Sequence, residues 1–396
     1  MTDLDTALPP AATGAVLLEA RGLTKHFPMH QAALAKGGRF VRRRLAGGER
    51  TSTVVHAVEG VSLSLPESHI TAVVGESGSG KSTLARMLAR LIKPTSGSLL
   101  LGGAAVPTSN RGRRAYTRQV QMVLQDPFSS LNPVHDVRYH LARPLIVHKL
   151  DGGGLDDTIA GLLERVALAP ADQFLGKYPH ELSGGQRQRV AIARALSVQP
   201  RVLLADEPVS MLDVSIRLGI LNLLGDLRER DRLAILYITH DIASARYLAD
   251  DIMVMYAGQV VESGPARTIT DEPAHPYTQL LLSAAPDPDR AEPPSLQGRG
   301  SPPSLVSPPS GCRFHPRCPY AMAICAQSTP PGIQVAPGHL SACWLAAHDL
   351  DAEQATPIAG PPAGTPAEPF TAESSTAESS TAEPFTAAPD PGEEMQ

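Results

Sequence analysis

The 396-residue sequence lacks the features of membrane-spanning and secreted proteins. No apolar run approaches the roughly 18–20 residues that a transmembrane helix needs. The N-terminus is acidic over residues 1–5 and lacks the basic-then-apolar layout of a signal peptide. We therefore expect a cytoplasmic chain, and its length allows two or three domains.

Basic residues are absent from the last fifth of the chain, since no Lys or Arg occurs from Cys318 to Gln396. The whole chain carries a formal charge of −5, and residues 346–396 hold ten acidic side chains. The remainder is therefore net positive at +5. This charge suits a nucleotide binder and is compatible with contact to an anionic membrane surface or to nucleic acid.

Cysteine is scarce, and its four copies all fall in one segment of 32 residues: Cys312, Cys318, Cys325 and Cys343. A reducing cytosol argues against disulfides, so free structural thiols, a zinc site and an iron–sulfur site remain open. The spacing C-x₅-C-x₆-C-x₁₇-C lacks the tight C-x₂-C pairs of common zinc ribbons.

Four segments lack the pattern of packed structure. Residues 1–15 are predicted to be a disordered leader, and residues 284–310 form a proline-rich linker. The basic stretch 36–44 is either a solvated loop or a contact for lipid phosphates or a membrane partner. Residues 349–396 contain an acidic, low-complexity repeat that is predicted to be disordered.

The rest of the chain alternates apolar strand-like runs with helical patterns. Helices are predicted within 138–178 and at 84–91 and 190–196. Strands are predicted at 16–27, 54–65, 70–74, 120–125, 202–207 and 233–240. Continuous apolar strands alternating with helices indicate an α/β fold whose parallel sheet is covered on both faces.

The most informative stretch joins a predicted strand to a predicted helix, and it reads Gly75, Glu76, Ser77, Gly78, Ser79, Gly80, Lys81, Ser82, Thr83. This G-x-x-x-x-G-K-S pattern is typical of a phosphate-binding loop, although a plain Gly/Ser-rich connection is the alternative. Backbone N–H groups would surround the phosphates, Lys81 would reach the β- and γ-phosphates, and Ser82 would ligate Mg²⁺.

Polar residues at three other strand ends would complete such a site. Asp206 follows a buried apolar run and would hold Mg²⁺, while the adjacent Glu207 would polarise the attacking water. His240 ends the next strand and would contact the γ-phosphate. Gln125, at the end of another strand, would sense Mg²⁺ and water together. Two adjacent solvated carboxylates and a structural histidine are the alternatives.

A second anion-binding helix start is predicted at Ser183, Gly184, Gly185 and Gln186. Ser183 would cap the helix, and the glycines would allow close approach of a ligand to the backbone. One triphosphate needs only one phosphate loop. We therefore expect this second anion-binding helix start to contact a nucleotide that is held by another subunit.

Together with Asp213, these motifs resemble, in order and spacing, the ATP-binding cassette of ABC transporters over residues 16–265. The resemblance implies a P-loop NTPase (RecA-like) core with an antiparallel β subdomain and an α-helical signature subdomain at about 126–190. It further implies ATP and Mg²⁺ as cofactors, and a head-to-tail dimer with two sandwiched ATP molecules. Phe27 would stack on adenine, while Ser183 and Gly185 would contact the γ-phosphate of the partner's ATP.

Residues 125–133, 275–281 and 311–319 narrow the resemblance to the ATP-binding subunits of oligopeptide/dipeptide permeases. The expected partners are a second, paralogous ATPase subunit, two membrane-spanning permease subunits that dock near Gln125, and an extracytoplasmic solute-binding protein. The chain would then lie peripherally on the cytoplasmic face of the membrane. Residues 266–348 match the extension of this family, some of whose members hold a [4Fe-4S] cluster on such cysteines. Met211 departs from the family, in which Ala is usual.

Two other classes of cassette protein compete with this reading. Translation- and chromosome-associated cassettes carry a second cassette or long coiled coils, which this sequence lacks, so no nucleic-acid partner is expected. A non-transport assembly subunit, like those of carbon–phosphorus lyase complexes, resembles the permease subunits and remains the alternative.

Overall fold

The computed structural model describes residues 14–29, 54–107, 109–150, 154–284 and 300–347. The basic stretch 36–44, the acidic repeat 349–396 and most of the leader lie outside these residues, so what the sequence predicts for them stays a prediction. The described strands are β1 (Val16–Pro28), β2 (Val54–Pro66), β3 (Ile70–Val74), β4 (Ser96–Leu101), β5 (Ala104–Ala105), β6 (Val120–Val123), β7 (Val202–Asp206), β8 (Ala234–Thr239), β9 (Asp251–Tyr256), β10 (Gln259–Pro265), β11 (Ile333–Ala336) and β12 (His339–Ser341).

The α-helices in the described ranges lie between these strands or flank them. They are α1 (Lys81–Leu88), α2 (Asn110–Gln119), α3 (Pro127–Ser130), α4 (Val137–His148), α5 (Leu155–Arg165), α6 (Asp172–Leu175), α7 (Gly184–Leu196), α8 (Val214–Asp231), α9 (Ile242–Leu248), α10 (Ala266–Asp271), α11 (Pro276–Ser283), α12 (Ala323–Gln327) and α13 (Trp344–Ala347). None of them is long and apolar enough to cross a lipid bilayer.

An eight-stranded sheet organises the fold, with the strand order β11-β12-β10-β9-β3-β8-β7-β6. The strands from β9 to β6 are parallel, while β10, β12 and β11 add antiparallel pairs at one edge. A second, antiparallel sheet has the order β2-β1-β4-β5. The C-terminal strands β11 and β12 therefore extend the sheet that also contains the phosphate-loop strand β3.

Both faces of the parallel strands are buried because successive side chains point to opposite sides. In β8, Leu236 and Ile238 pack in a cluster with α1 and the antiparallel sheet. Ile235 and Tyr237 pack in the opposite cluster, with side chains from α7, α8 and α9. Two-sided burial explains why β3, β7 and β8 are uninterrupted apolar runs, as the sequence predicted.

The helices that follow β6 surround α7. Helices α3, α4 and α5 pack on it, and α7 also contacts β6 and α8. The helix begins at Gly184, six residues before the apolar run that predicted it, because Ser183 caps it there. Because the first two turns of α7 contain polar residues and glycines, hydrophobic periodicity does not indicate where the helix begins.

Tyr116 ties α2 to the end of the phosphate-loop helix. Its hydroxyl donates to the carbonyl of Leu88 at 2.5 Å, and its side chain is 1% exposed. Burial raises the pKa of Tyr116 far above its usual range, so the hydroxyl keeps its proton.

Tyr116→Phe is expected to lower the free energy of unfolding by about 1–2 kcal/mol, because it leaves the buried Leu88 carbonyl without its donor. Urea denaturation of the full chain measures this loss. Tyr139→Phe is the matched control, since Tyr139 is 42% exposed. Equal changes in the two variants would contradict the role assigned to the buried hydrogen bond.

Candidate functional site

The loop between β3 and α1 has a backbone that only glycine accommodates at two points. A Cβ atom on Gly75 would lie 2.1 Å from the carbonyl oxygen of Met255. Gly80 has a φ of +102°, and its Cβ would lie 2.3 Å from the carbonyl oxygen of Ala57. The loop is thus pressed between neighbouring backbones, which is why side chains are excluded there.

Lys81 begins α1 and turns back into the loop. Its Nζ donates to the carbonyl oxygens of Gly75 at 2.7 Å and Glu76 at 2.8 Å. The residue is 4% exposed, and burial lowers the pKa of its ammonium group, while Glu207, Asp206 and Glu76 act in the opposite direction. A buried cation that contacts mainly carbonyl oxygens is well placed to bind an anion inside the loop.

Ser82 and Asp206 meet although they are 124 positions apart in the chain. The Ser82 hydroxyl donates to Asp206 Oδ1 at 2.9 Å, and Asp206 is 2% exposed. Burial raises the pKa of the Asp206 carboxyl above its usual range, against the lowering effect of the Ser82 hydrogen bond. A divalent cation bound between the two oxygens would favour the ionised carboxylate, and hard oxygen ligands suit Mg²⁺.

Glu207 lies between two other residues that the sequence singled out. Gln125 Nε2 donates to Glu207 Oε2 at 2.9 Å, and His240 Nδ1 lies 3.5 Å from the same oxygen. The side chain of Glu207 is 16% exposed and that of His240 is 58% exposed. The carboxylate is therefore oriented from two sides and still reachable by water.

The C-terminal region reaches the phosphate loop at Glu76. Arg317 pairs with both carboxylate oxygens of Glu76, through Nη1 at 2.9 Å and Nη2 at 3.0 Å. The backbone N–H of Glu76 donates to the hydroxyl of Tyr277 at 2.8 Å. Both the side chain and the backbone of this loop residue are thus held by residues more than 200 positions away.

A second arginine of the same segment, Arg313, contacts the phosphate loop only indirectly. Arg313 donates to the carbonyl of Ala257 and lies 3.3 Å from Glu59 Oε2. Gly258, which follows Ala257 in the chain, donates its N–H to the carbonyl of Ser79 in the phosphate loop at 2.9 Å. Arg313 therefore supports the turn against which the phosphate loop packs.

The predicted second anion-binding site is the N-terminus of α7, where Ser183 and Gln186 form a capping box. Ser183 Oγ accepts from the N–H of Gln186 at 3.2 Å, and the Gln186 side chain accepts from the N–H of Ser183 at 3.0 Å. A Cβ on Gly185 would lie 2.5 Å from a methyl carbon of Ile216, so the close packing of α7 on α8 requires glycine. Gly184 packs against Leu212. Within the described ranges, no hydrogen bond joins residues 182–186 to residues 75–83.

Three further residues that the sequence singled out are exposed. Asp213 precedes α8, where its carbonyl accepts from the N–H groups of Ile216 and Arg217. Met211, which departs from the family, is 59% exposed. Phe27 is the last residue but one of β1 and is 37% exposed, and Lys25 Nζ lies 4.9 Å from its ring centroid.

The four cysteines of this segment line one small pocket together with aromatic residues, among them Phe314, Tyr320 and Trp344. All four are free thiols. Burial raises the pKa of Cys312 to about 11 and that of Cys318 to about 12.

The thiols are too far apart for one metal ion in the described conformation. Within the described ranges, no three cysteine sulfurs lie within 4.8 Å of one another, whereas tetrahedral zinc with bonds of about 2.3 Å requires sulfurs about 3.8 Å apart. The described cysteines therefore form no single-ion zinc site in this conformation.

Three residues that support the phosphate loop were not predicted from the sequence: Tyr277, Arg313 and Arg317. They lie in stretches that the family resemblance had highlighted, but nothing in the sequence pairs them with Glu76 or Glu59. Contacts between residues 201 and 241 positions apart follow from the route of the chain and leave no local signal.

Two protein-family models match the sequence. The model described as ABC transporter matches residues 58–210, and the one described as oligopeptide/dipeptide transporter, C-terminal region, matches residues 261–325.

Solved structures with similar folds include cbiO1 from Clostridium perfringens, which is part of the ABC transporter complex cbiONQ. It is 26% identical with a TM-score of 0.54, over 65% of this chain and 92% of that one. An ATP-binding cassette in a dimeric post-hydrolysis state, bound to ADP and phosphate, is 27% identical with a TM-score of 0.52, over 63% and 99% of the two chains. These likenesses confirm the predicted P-loop cassette fold.

Curated relatives match most of the chain. The di/tripeptide transport ATP-binding protein DppF of Pseudomonas aeruginosa is 43% identical over 318 residues, or 79% of this chain and 93% of that protein. The oligopeptide transport ATP-binding protein AppF of Bacillus subtilis is 40% identical over 341 residues, or 85% and 99% of the two chains. This chain therefore belongs to the ATP-binding proteins of the ABC transporter family, in the group that carries the oligopeptide/dipeptide transporter C-terminal region.

Proposed function

We propose that this chain is the ATP-hydrolysing subunit that powers a peptide importer. The observation that carries the proposal is the meeting of two groups of side chains beside one loop: Ser82 with Asp206, and Glu207 with Gln125 and His240. The first group offers oxygen ligands for a cation, and the second offers an oriented carboxylate for a water molecule. With Lys81, they supply what ATP hydrolysis needs.

The loop binds the triphosphate in this proposal. Backbone N–H groups of residues 75–83 and the helix dipole of α1 stabilise the phosphates, and Lys81 moves its donors from loop carbonyls to the β- and γ-phosphates. Ser82, Asp206 and Gln125 would hold Mg²⁺, and the ion would neutralise phosphate charge. Phe27 offers its exposed ring to the adenine.

Glu207 acts as the general base. Its carboxylate accepts a proton from the water that attacks the γ-phosphate, and ATP and water become ADP and phosphate. Gln125 orients that carboxylate through the 2.9 Å hydrogen bond. His240 is exposed and lies on the same side, where it contacts the γ-phosphate and helps to position the water.

A second cassette subunit completes the site. The capped start of α7, with Ser183, Gly184, Gly185 and Gln186, presents backbone N–H groups that suit an anion. We propose that these groups contact the γ-phosphate of ATP held by the partner, and that exposed Asp213 lies in the same interface. Closure on ATP and opening after hydrolysis would then drive transport.

The remaining assembly follows from the family. Two permease subunits would anchor this chain at the cytoplasmic face of the membrane, near Gln125, and an extracytoplasmic binding protein would deliver the peptide. DppF and AppF are peptide transport proteins, which favours a role in transport over the assembly role of carbon–phosphorus lyase cassettes. A paralogous second ATPase subunit and the absence of a nucleic-acid partner remain part of the proposal.

The cysteine pocket is proposed to hold a [4Fe-4S] cluster. Support comes from the four free thiols around one pocket and from sulfur positions too far apart for a single zinc ion. Cys312, Cys318, Cys325 and Cys343 would be its ligands, and the surrounding aromatic side chains would limit access of water. The cluster is assigned no step in ATP hydrolysis.

Glu207→Gln is expected to bind ATP with near-normal affinity, trap a closed dimer and lose about 10²–10⁴-fold in turnover, because an amide cannot accept the proton. The amide oxygen still accepts from Gln125, so the site keeps its shape. Phosphate release and size-exclusion chromatography with ATP measure both effects. Glu229→Gln, whose side chain is 73% exposed, is the control. Near-normal hydrolysis would remove Glu207 from the role of base.

Lys81→Ala is expected to weaken ATP binding about 10–100-fold, the scale of lost charge-assisted hydrogen bonds. Titration with a fluorescent ATP analogue and Mg²⁺ measures the affinity. Lys93→Ala, which removes an exposed lysine, should leave it unchanged. An unaltered titration curve for Lys81→Ala would disprove the phosphate-loop assignment.

Protein purified without oxygen is expected to show broad absorbance near ~400 nm and bound iron, as thiolate-ligated iron–sulfur clusters do. Replacement of Cys312 and Cys343 by Ser should remove both signals. Iron-free, colourless protein would refute the cluster, and stoichiometric zinc would replace it with a zinc site in a rearranged pocket.

A further inference from the structure

Glu76 places a negative charge inside a loop that is proposed to bind a polyanion. It follows Gly75 directly, and Lys81 Nζ donates to its backbone carbonyl at 2.8 Å. A carboxylate on this residue of the loop would repel the phosphates that Lys81 attracts. Unless another group neutralises Glu76, it opposes triphosphate binding.

Arg317 supplies the neutralising charge. It forms two near-parallel hydrogen bonds to the two oxygens of Glu76, the geometry in which an arginine–carboxylate pair is strongest. The side chain of Arg317 is 10% exposed and that of Glu76 is 29% exposed, so solvent screens this pair less than a surface pair. Arg317 also contacts the hydroxyl of Tyr256 at 3.3 Å.

The surrounding aromatic residues fix the position of Arg317. Tyr256, Tyr277 and Phe314 form one cluster with ring centroids 4.5–5.5 Å apart, and the Arg317 guanidinium lies 5.7 Å from the Tyr256 ring centroid. Tyr277 accepts from the N–H of Glu76, so the same cluster holds the backbone of the loop. Arg317 and Tyr277 both lie in the C-terminal region, outside the residues that match the cassette model.

We propose that Arg317 is a positioning residue of the nucleotide site, which neutralises Glu76 and turns its carboxylate away from the triphosphate. The C-terminal region thereby sets the ATP affinity of the phosphate loop. This inference rests on the proposed ATP site and adds to it a residue that no cassette motif contains. It also explains why a loop that binds anions carries a glutamate.

A purely structural role for Arg317 makes a different prediction. If Arg317 only packs the C-terminal region against the core, then removing the charge of Glu76 as well will not restore the ATP affinity that is lost in Arg317→Gln. If Arg317 neutralises Glu76, removing both charges will restore that affinity. The double variant Glu76→Gln with Arg317→Gln keeps two amides that can hydrogen-bond to each other, so it separates the two roles.

The test measures the affinity of the full-length chain for Mg-ATP by equilibrium titration, together with thermal unfolding. Arg317→Gln is expected to weaken binding by about tenfold or more, the scale of one unneutralised charge in a partly buried site. The double variant is expected to return to within about threefold of wild type. Arg165→Ala is the control, because Arg165 forms a comparably buried ion pair with Asp231 between α5 and α8.

Unchanged affinity in Arg317→Gln, or a double variant as weak as Arg317→Gln, would overturn the inference. If Arg317→Gln does not fold, Glu76→Gln carries the test. It should bind ATP at least as tightly as wild type, and a tenfold loss would overturn the inference. Failure of the proposed ATP site gives a separate result: wild type would not bind Mg-ATP, or Lys81→Ala would bind as wild type does.

Discussion

Parallel pairing of β3 with β8 and of β8 with β7 is the constraint on which the rest of the structure depends. Because parallel strands end at a common edge, the loop after β3, the carboxylates at the end of β7 and His240 after β8 come together there. Two-sided burial of these strands makes that edge rigid. The helix start at Ser183 lies on α7, in the helical part that packs beside β6.

One lysine and three acidic residues lie at this edge. Lys81 lies among Glu76, Asp206 and Glu207, and each of these acids has a partner of its own. Ser82 donates to Asp206, Gln125 donates to Glu207, and Arg317 pairs with Glu76. A polyanion with a divalent cation would fit this arrangement, because the cation adds to the charge of Lys81 while the acids remain satisfied.

The C-terminal region is continuous with the nucleotide-binding core. Strand β12 pairs with β10, and Tyr277 and Arg317 hold the phosphate loop. Both arginines of the segment lie between Cys312 and Cys318, whose thiols line the same pocket. The segment that contains both arginines is thus flanked at each end by a cysteine that lines that pocket.

The local chemistry of the site can be predicted from short stretches of sequence. Strand β3 was predicted with the bounds that the structure has, because an apolar run ended by the Gly75 turn has one local solution. The phosphate loop, the strand-end carboxylates and the cap at Ser183 were likewise visible in short motifs, since their hydrogen bonds and backbone angles depend on near neighbours. The capping residue Ser183 indicated where α7 begins, although the hydrophobic pattern of the helix begins six residues after Gly184.

Which distant residues meet depends on the path of the whole chain. The place of Glu207 at a strand end led to the prediction that it is a base, but its contacts with Gln125 and His240 depend on the order of strands in the sheet. The pairing of Glu76 with Arg317, 241 positions away, depends on the whole path of the chain from β3 to the C-terminal segment. An arginine in a sequence carries no mark of its partner, because charge pairing is set by proximity in space.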